Sequence, residues 1–184
     1  MRTIRTLNTN NITAPTFIEK FQYHKLQQIN ESGRRVYQTP NGDRVPSVTT
    51  ILGKTKDMTH LNEWKKRVGE QEAQRIVKEA SGMGSAMHNN LERFLCGEQR
   101  MPGTNLVHVQ QTNKPKKKEW VEDYFLQLVA YAEAHNEVYG TQIREGHIFM
   151  CSRDLNYQQF DLEPSHYDYW LEQWLARVEQ YYKL

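Results

Sequence analysis

The fold depends on two stretches of the chain, Met83-Gly-Ser-Ala-Met-His88-Asn-Asn-Leu-Glu92-Arg-Phe-Leu-Cys96 and Gln127-Leu-Val-Ala-Tyr131. We predict that both stretches are helical, and each carries two polar side chains four residues apart. Side chains at positions i and i+4 lie on the same face of a helix. The sequence therefore predicts one helix that presents His88 with Glu92 and another that presents Gln127 with Tyr131.

The segments around these helices alternate between extended and helical patterns. Asn41-Gly42 lies between extended runs and predicts a β-hairpin. Hydrophobic spacing predicts further helices and strands, with helices at about 59–80, from Ser85, at 118–139 and at 165–182, and strands at 147–151 and 157–162. The glycines of Ser81-Gly-Met-Gly84 are expected to end the first helix. We therefore predict an α+β domain over residues 34–184, preceded by an N-terminal arm at residues 1–33.

Two of the predicted helices carry apolar stripes that should form the core. The stripe of the 118–139 helix consists of Trp120, Tyr124, Phe125, Leu128, Tyr131 and Ala132. The last helix is expected to bury Trp170, Leu171, Trp174, Leu175 and Val178.

Composition excludes several classes of protein. The 184 residues carry a net charge of only +2, which does not by itself indicate a nucleic-acid partner. No apolar run approaches the ~20 residues of a membrane-spanning helix, and no secretory signal is visible. Cys96 and Cys151 are predicted to be buried thiols in a reducing compartment. We expect a cytoplasmic protein without a membrane partner.

Several motifs, in order, resemble the phage-type PD-(D/E)XK exonucleases, to which the mitochondrial genome maintenance exonuclease and RecB-type nuclease domains are related. They are Tyr37…Pro40-Asn-Gly42…Pro46-Ser-Val-Thr-Thr-Ile-Leu52, then Gly84…His88…Glu92, then Gln127-Leu-Val-Ala-Tyr131. The resemblance covers residues 33–182. It implies a small, reduced restriction-endonuclease-like core with flanking helices, and a phage-encoded protein located in the cytoplasm of the host cell.

The resemblance also implies a chemistry. In the family a His and a Glu on a helix, an Asp on a strand and an (Asp/Glu)-x-Lys on the next strand surround one or two divalent ions. A bound ion provides hydroxide near neutral pH and offsets charge on the scissile phosphate. The resemblance assigns catalytic roles to His88, Glu92, Gln127 and Tyr131, with His88 and Glu92 as ligands of Mg²⁺ or Mn²⁺.

The segment after Glu92 departs from the family pattern. Residues 93–118 contain a single acidic residue, Glu98. If Gln111-Thr-Asn-Lys114-Pro is aligned with the residues that follow the family's Asp-x-Lys, the Asp falls on His108 and the Lys on Gln110. His108 is then a candidate third ligand. The strand Asp and Lys have no counterpart, so we predict that the central catalytic strands are missing.

Two functions follow from this pattern. The first is metal-dependent phosphodiester hydrolysis at DNA ends, if the site is intact, impaired by the loss of the central strands. The alternative is a catalytically inactive DNA-binding module. In either case the expected partner is DNA, single-stranded or at ends, held by salt-sensitive contacts from Lys114, Lys116, Lys117 and Lys118. A third interpretation is a truncated chain of marginal stability.

Each signal also has an interpretation without a function. His88 with Glu92 can be an ordinary polar pair on a helix surface, and Gln127 with Tyr131 can pack against the hairpin. His108 can be a surface residue of a short strand. The lysine run can be a solvated loop, and Trp120 and Tyr124 can belong to the core or stack on bases.

Overall fold

The computed structural model describes residues 16, 20–23, 25–31, 34–98, 121–151 and 157–184. Over these residues the chain is α+β, as predicted, with helices and two small sheets. It divides into two compact units. One is built around residues 58–98, and the other around residues 21–57, 121–148 and 159–184.

The predicted hairpin is part of a three-stranded antiparallel sheet in the second unit. Its strands are β1 (Gln27–Glu31), β2 (Arg34–Gln38) and β3 (Arg44–Pro46), in that order. Tyr37 pairs with Val45 across β2 and β3. Gly42 has a φ of 88°, which a glycine adopts without strain, so the Asn-Gly signal is confirmed.

The sequence patterns missed β1 and a short helix, α1 (Val48–Thr55). Strand β1 lies within the segment predicted as an arm and has one apolar residue, Ile29, so it lacks an alternating pattern. Its extended conformation is stabilised by backbone pairing with β2. Helix α1 has a local signal, because Ser47 caps it by accepting a hydrogen bond from the Thr50 amide at 3.1 Å.

The chain continues with α4 (Glu122–Tyr139), β4 (Gly146–Cys151), β5 (Tyr157–Leu162) and α5 (Pro164–Tyr182). These elements belong to the second unit except for residues 149–151 of β4 and 157–158 of β5, which group with the first. Gly140, with a φ of 63°, ends α4. These bounds agree with the predicted ones within a few residues. Helices α4 and α5 pack against each other and α1 packs on both, so the buried residues lie mainly on these helices: Ile51, Leu52, Val121, Phe125, Leu126, Val129, Ala130, Ala132, Ile148, Leu162, Tyr167 and Trp174.

Parts of the predicted core stripes are wrong. Tyr124 and Tyr131 on α4 are 47% and 52% exposed, and Leu175 on α5 is 55% exposed. Phe125 and Ala132 of the predicted stripe are buried, and Phe125 stacks on Trp170 with ring centroids 4.9 Å apart. The buried face of α4 also contains Leu126 and Val129, which the stripe did not include. Tyrosine tolerates exposure because its hydroxyl is solvated, so spacing alone could not tell which side of α4 faces the core.

The first unit contains α2 (Thr59–Val68) and α3 (Glu70–Leu95). The predicted break at Ser81–Gly84 is wrong: α3 continues through it, and the chain breaks at Gly69, with φ 86° and ψ 149°. A glycine inside a helix costs about 1 kcal/mol but does not force an end. Cys96, which follows α3, is exposed rather than buried.

Candidate functional site

His88 and Glu92 lie on α3, as predicted. Both side chains are exposed, and their spacing of four places them on one face of this 26-residue helix. The Glu92 carbonyl accepts the Cys96 amide at 2.8 Å, so helical geometry continues through the pair to the end of α3. The two side chains are thus available to a ligand from solvent.

Gln127 and Tyr131 lie on α4 and contact each other directly. The Gln127 Nε2 donates a hydrogen bond to the Tyr131 hydroxyl at 2.8 Å. Gln127 is partly buried, while Tyr131 is half exposed. The amide therefore holds the phenol oxygen in place on an accessible face of the helix.

The four predicted catalytic residues form two pairs, each on its own helix. His88 and Glu92 belong to the first unit, and Gln127 and Tyr131 belong to the second. The other predicted site residues lie outside the described residues, namely His108, Lys114, Lys116, Lys117 and Lys118.

The donor chemistry of His88 and Glu92 decides which metal the pair suits. Among the described residues, no three His, Cys, Asp or Glu side chains cluster in a way that could hold a metal ion. One imidazole nitrogen and one carboxylate do not make the oxygen-rich octahedral site that Mg²⁺ prefers. Manganese accepts imidazole more readily. The pair alone therefore supplies too few ligands to hold either ion.

One polar cluster was missed by the sequence patterns, on the exposed face of β4 and β5. The His147 Nδ1 donates to Asp161 Oδ1 at 2.7 Å, and the Gln159 Nε2 donates to the same oxygen at 2.7 Å. The Gln159 hydrogen bond first, then that of His147, lowers the pKa of Asp161. The available signal was the alternation of the two predicted strands, which puts Gln159 and Asp161 on one face.

A second missed cluster surrounds His135 on α4. Its Nδ1 lies 2.8 Å from the Thr141 hydroxyl and its Nε2 lies 3.2 Å from the Tyr23 hydroxyl. The rings of Phe21 and Tyr139 lie 4.9 and 4.7 Å from the imidazole. This histidine is half-buried among aromatic rings, so its role is to dock the segment at residues 21–23 on α4.

A third cluster joins the core helices. Asp123 on α4 forms ion pairs with Lys56 and with Arg177, the latter at 3.6 Å. Arg177 also donates to the backbone carbonyl of Thr55. The Asp123 and Arg177 side chains are 24% and 22% exposed, which indicates a structural role.

Among the residues that the structure describes, none of the helices is both long enough and apolar enough to span a membrane. Comparison with known proteins found no matching protein-family model, no matching curated protein and no matching solved structure.

Proposed function

We propose that this chain is a DNA-binding protein related to the phage-type PD-(D/E)XK exonucleases, acting on single strands or DNA ends. The observation that supports this best is the exposure of His88 and Glu92 on one face of α3. The resemblance assigns that arrangement to the metal-binding helix of the family. Side chains that bind an ion from solvent must be exposed before the ion binds, and both His88 and Glu92 are exposed.

The second helix pair adds support. The resemblance places a Gln and a Tyr at this spacing on the last motif of the family. Here the Gln127 amide donates to the Tyr131 hydroxyl, so the hydroxyl keeps its own hydrogen to donate. A phosphate oxygen or a sugar hydroxyl is a suitable acceptor for it.

Hydrolysis of DNA ends is the enzymatic form of this proposal. A divalent ion, when bound, supplies hydroxide near neutral pH and offsets phosphate charge. In this chain His88 would hold it through nitrogen and Glu92 through oxygen, which favours Mn²⁺ over Mg²⁺.

Binding without hydrolysis is the second form, and one observation favours it. In residues 93–118, where the family carries its strand Asp and its (Asp/Glu)-x-Lys, this sequence has Glu98 alone as an acid and a run of lysines. That composition lacks negative charge for an ion and supplies positive charge for phosphates.

Incubation with end-labelled single-stranded and duplex DNA separates the two forms. The reactions contain Mn²⁺, Mg²⁺ or a chelator, and compare the natural chain with Glu92→Ala. Glu79→Ala is the control, because it removes the same charge from another exposed position of α3.

The enzymatic form predicts metal-dependent shortening of the labelled strand that Glu92→Ala abolishes and Glu79→Ala retains. The binding form predicts a shift in fluorescence anisotropy that weakens steeply with salt and no shortening with either ion. A chain that neither binds nor shortens any of these DNAs at low salt contradicts the proposal.

A further inference from the structure

The junction of α2 and α3 forms an open groove of about 550 Å³, lined by Asn62, Lys65, Lys66, Gly69 and Glu70. We call it the α2 groove. Its shape follows from Gly69, whose positive φ ends α2 and starts α3 in a new direction. Lys65 and Lys66 lie in the last turn of α2, and Arg67 follows them directly.

Three consecutive cations without a carboxylate partner distinguish this turn of α2 from the rest of the described residues. Several arginines and lysines there have carboxylate partners within 4 Å, including Arg75, Arg93, Arg144 and Lys183. Lys65, Lys66 and Arg67 have no such carboxylate among the described residues. Glu70 lines the groove but accepts a hydrogen bond from Gln74 at 3.0 Å.

The openness of the groove limits what it can hold. Sites for small molecules enclose most of the ligand surface, and the α2 groove is open to solvent. A polyanion lies across such a surface without being enclosed, because each of its phosphates needs only a nearby cation. Lysine serves as a flexible point charge for phosphate, so neighbouring lysines in a groove suit a charged backbone better than a single small anion.

We propose that the α2 groove binds the phosphate backbone of a nucleic-acid strand through Lys65 and Lys66, which line it, with Arg67 as a third cation on the same turn of α2. The inference rests on the proposed function for the identity of the polymer, and it adds contacts to those proposed for the lysines at 114–118. The contacts are to phosphates, so they provide affinity and salt dependence without base specificity.

A triple variant tests the groove: Lys65→Gln with Lys66→Gln and Arg67→Gln. Its control is Lys25→Gln with Lys54→Gln and Lys183→Gln, which removes the same net charge from exposed positions elsewhere. Binding of fluorescein-labelled oligothymidine is measured by anisotropy over a series of KCl concentrations. The slope of log K against log [KCl] should become less steep by about 2 in the groove variant, since each phosphate contact on a single strand contributes about 0.7. The control should keep the natural slope.

A charge-conserving variant distinguishes the loss of phosphate contacts from a loss of stability. Cations in the last turn also interact favourably with the dipole of α2, so the triple variant can lose some stability. Lys65→Arg with Lys66→Arg keeps the charge and should keep the slope, and circular dichroism reports the melting of each variant.

The outcomes separate the two proposals. If the natural chain binds oligothymidine and the folded groove variant has the slope of the control, the groove inference is wrong and the proposed function stands. If the natural chain binds no DNA at low salt, both are wrong.

Discussion

Arg177 on α5 lies 3.6 Å from Asp123 on α4, measured between Nη2 and Oδ1, and its Nη1 donates to the carbonyl of Thr55 at the end of α1. One guanidinium therefore joins the three helices that form the core of the second unit. Lys56 adds a second cation to Asp123. Because Asp123 and Arg177 are largely shielded from water, these two groups depend on protein partners for their hydrogen bonds.

Replacing Arg177 with Met should lower the free energy of unfolding by about 1–3 kcal/mol, because the buried Thr55 carbonyl loses its donor and Asp123 loses a cation. Urea unfolding measures this change. Lys183→Met is the control, since the pair of Lys183 with Glu179 is exposed and such pairs contribute at most about 1 kcal/mol. Equal losses in the two variants would show that Arg177 does not connect the helices.

Tyr167 should control stability at alkaline pH. Its side chain is buried, and its hydroxyl donates to Glu133 at 2.9 Å. Burial first, and then the bond to Glu133 and its charge, raises the pKa of Tyr167 to about 12. The folded state holds this proton more tightly than the unfolded state, whose tyrosines titrate near 10. The contribution to stability is therefore complete below pH 10 and is lost as the pH rises from about 10 to about 12.

Tyr167→Phe removes that titration. Between about pH 10 and 12 its free energy of unfolding should fall less steeply than that of the natural chain, because the other tyrosines remain in both proteins. Denaturant unfolding at a series of pH values measures the two slopes. Parallel slopes would show that the hydroxyl titrates normally.

Gly69 and Gly82 should respond oppositely to alanine. At φ 86° and ψ 149°, an L residue at position 69 is strained by about 1–3 kcal/mol. A Cβ at Gly82 meets no atom within 4 Å, so Gly82→Ala should add about 0.5–1 kcal/mol by favouring the helix. Thermal melting by circular dichroism compares them. A destabilising Gly82→Ala would place a break inside α3.

Asp161 should titrate below the ordinary range for aspartate. The stability that its ionised form provides is present above the unfolded pKa, about 3.9, and is lost as the pH falls through the lower folded value. Gln159→Ala should raise this pKa more than His147→Phe does, because the amide hydrogen bond is the larger cause. Carbon-13 NMR of the Asp161 carboxyl group measures both shifts. The reverse order would mean that the imidazole dominates.

Local chemistry explains where the sequence predicted the structure well. Asn41-Gly42 specified its turn because few residues adopt a positive φ. Strand β5 alternates the apolar Phe160 and Leu162 with the polar Gln159 and Asp161, which is a strand pattern. Strand β1 could not be predicted, because its extended conformation depends on backbone pairing with β2 rather than on its own residue types.

Two further features also required tertiary information: which glycine ends a helix, and which side of a helix is buried. Gly69, Gly82 and Gly84 are equivalent in sequence terms, yet only Gly69 adopts a positive φ. Likewise, Tyr167 is buried while Tyr131 is exposed. For the candidate site, the spacing of His88 with Glu92 and of Gln127 with Tyr131 was predictable from helical periodicity alone. The His147–Asp161 contact depends on how two strands pair, which residue types do not specify.

The continuity of α3 sets a length scale for any bound strand. A helix rises 1.5 Å per residue, so Glu70 and His88 are about 27 Å apart along its axis. A strand with the duplex spacing of 3.4 Å per nucleotide covers this interval in about eight nucleotides. An oligonucleotide shorter than about eight nucleotides can occupy the α2 groove or the His88–Glu92 face but not both. The affinity of the protein for oligonucleotides should therefore increase abruptly at about that length.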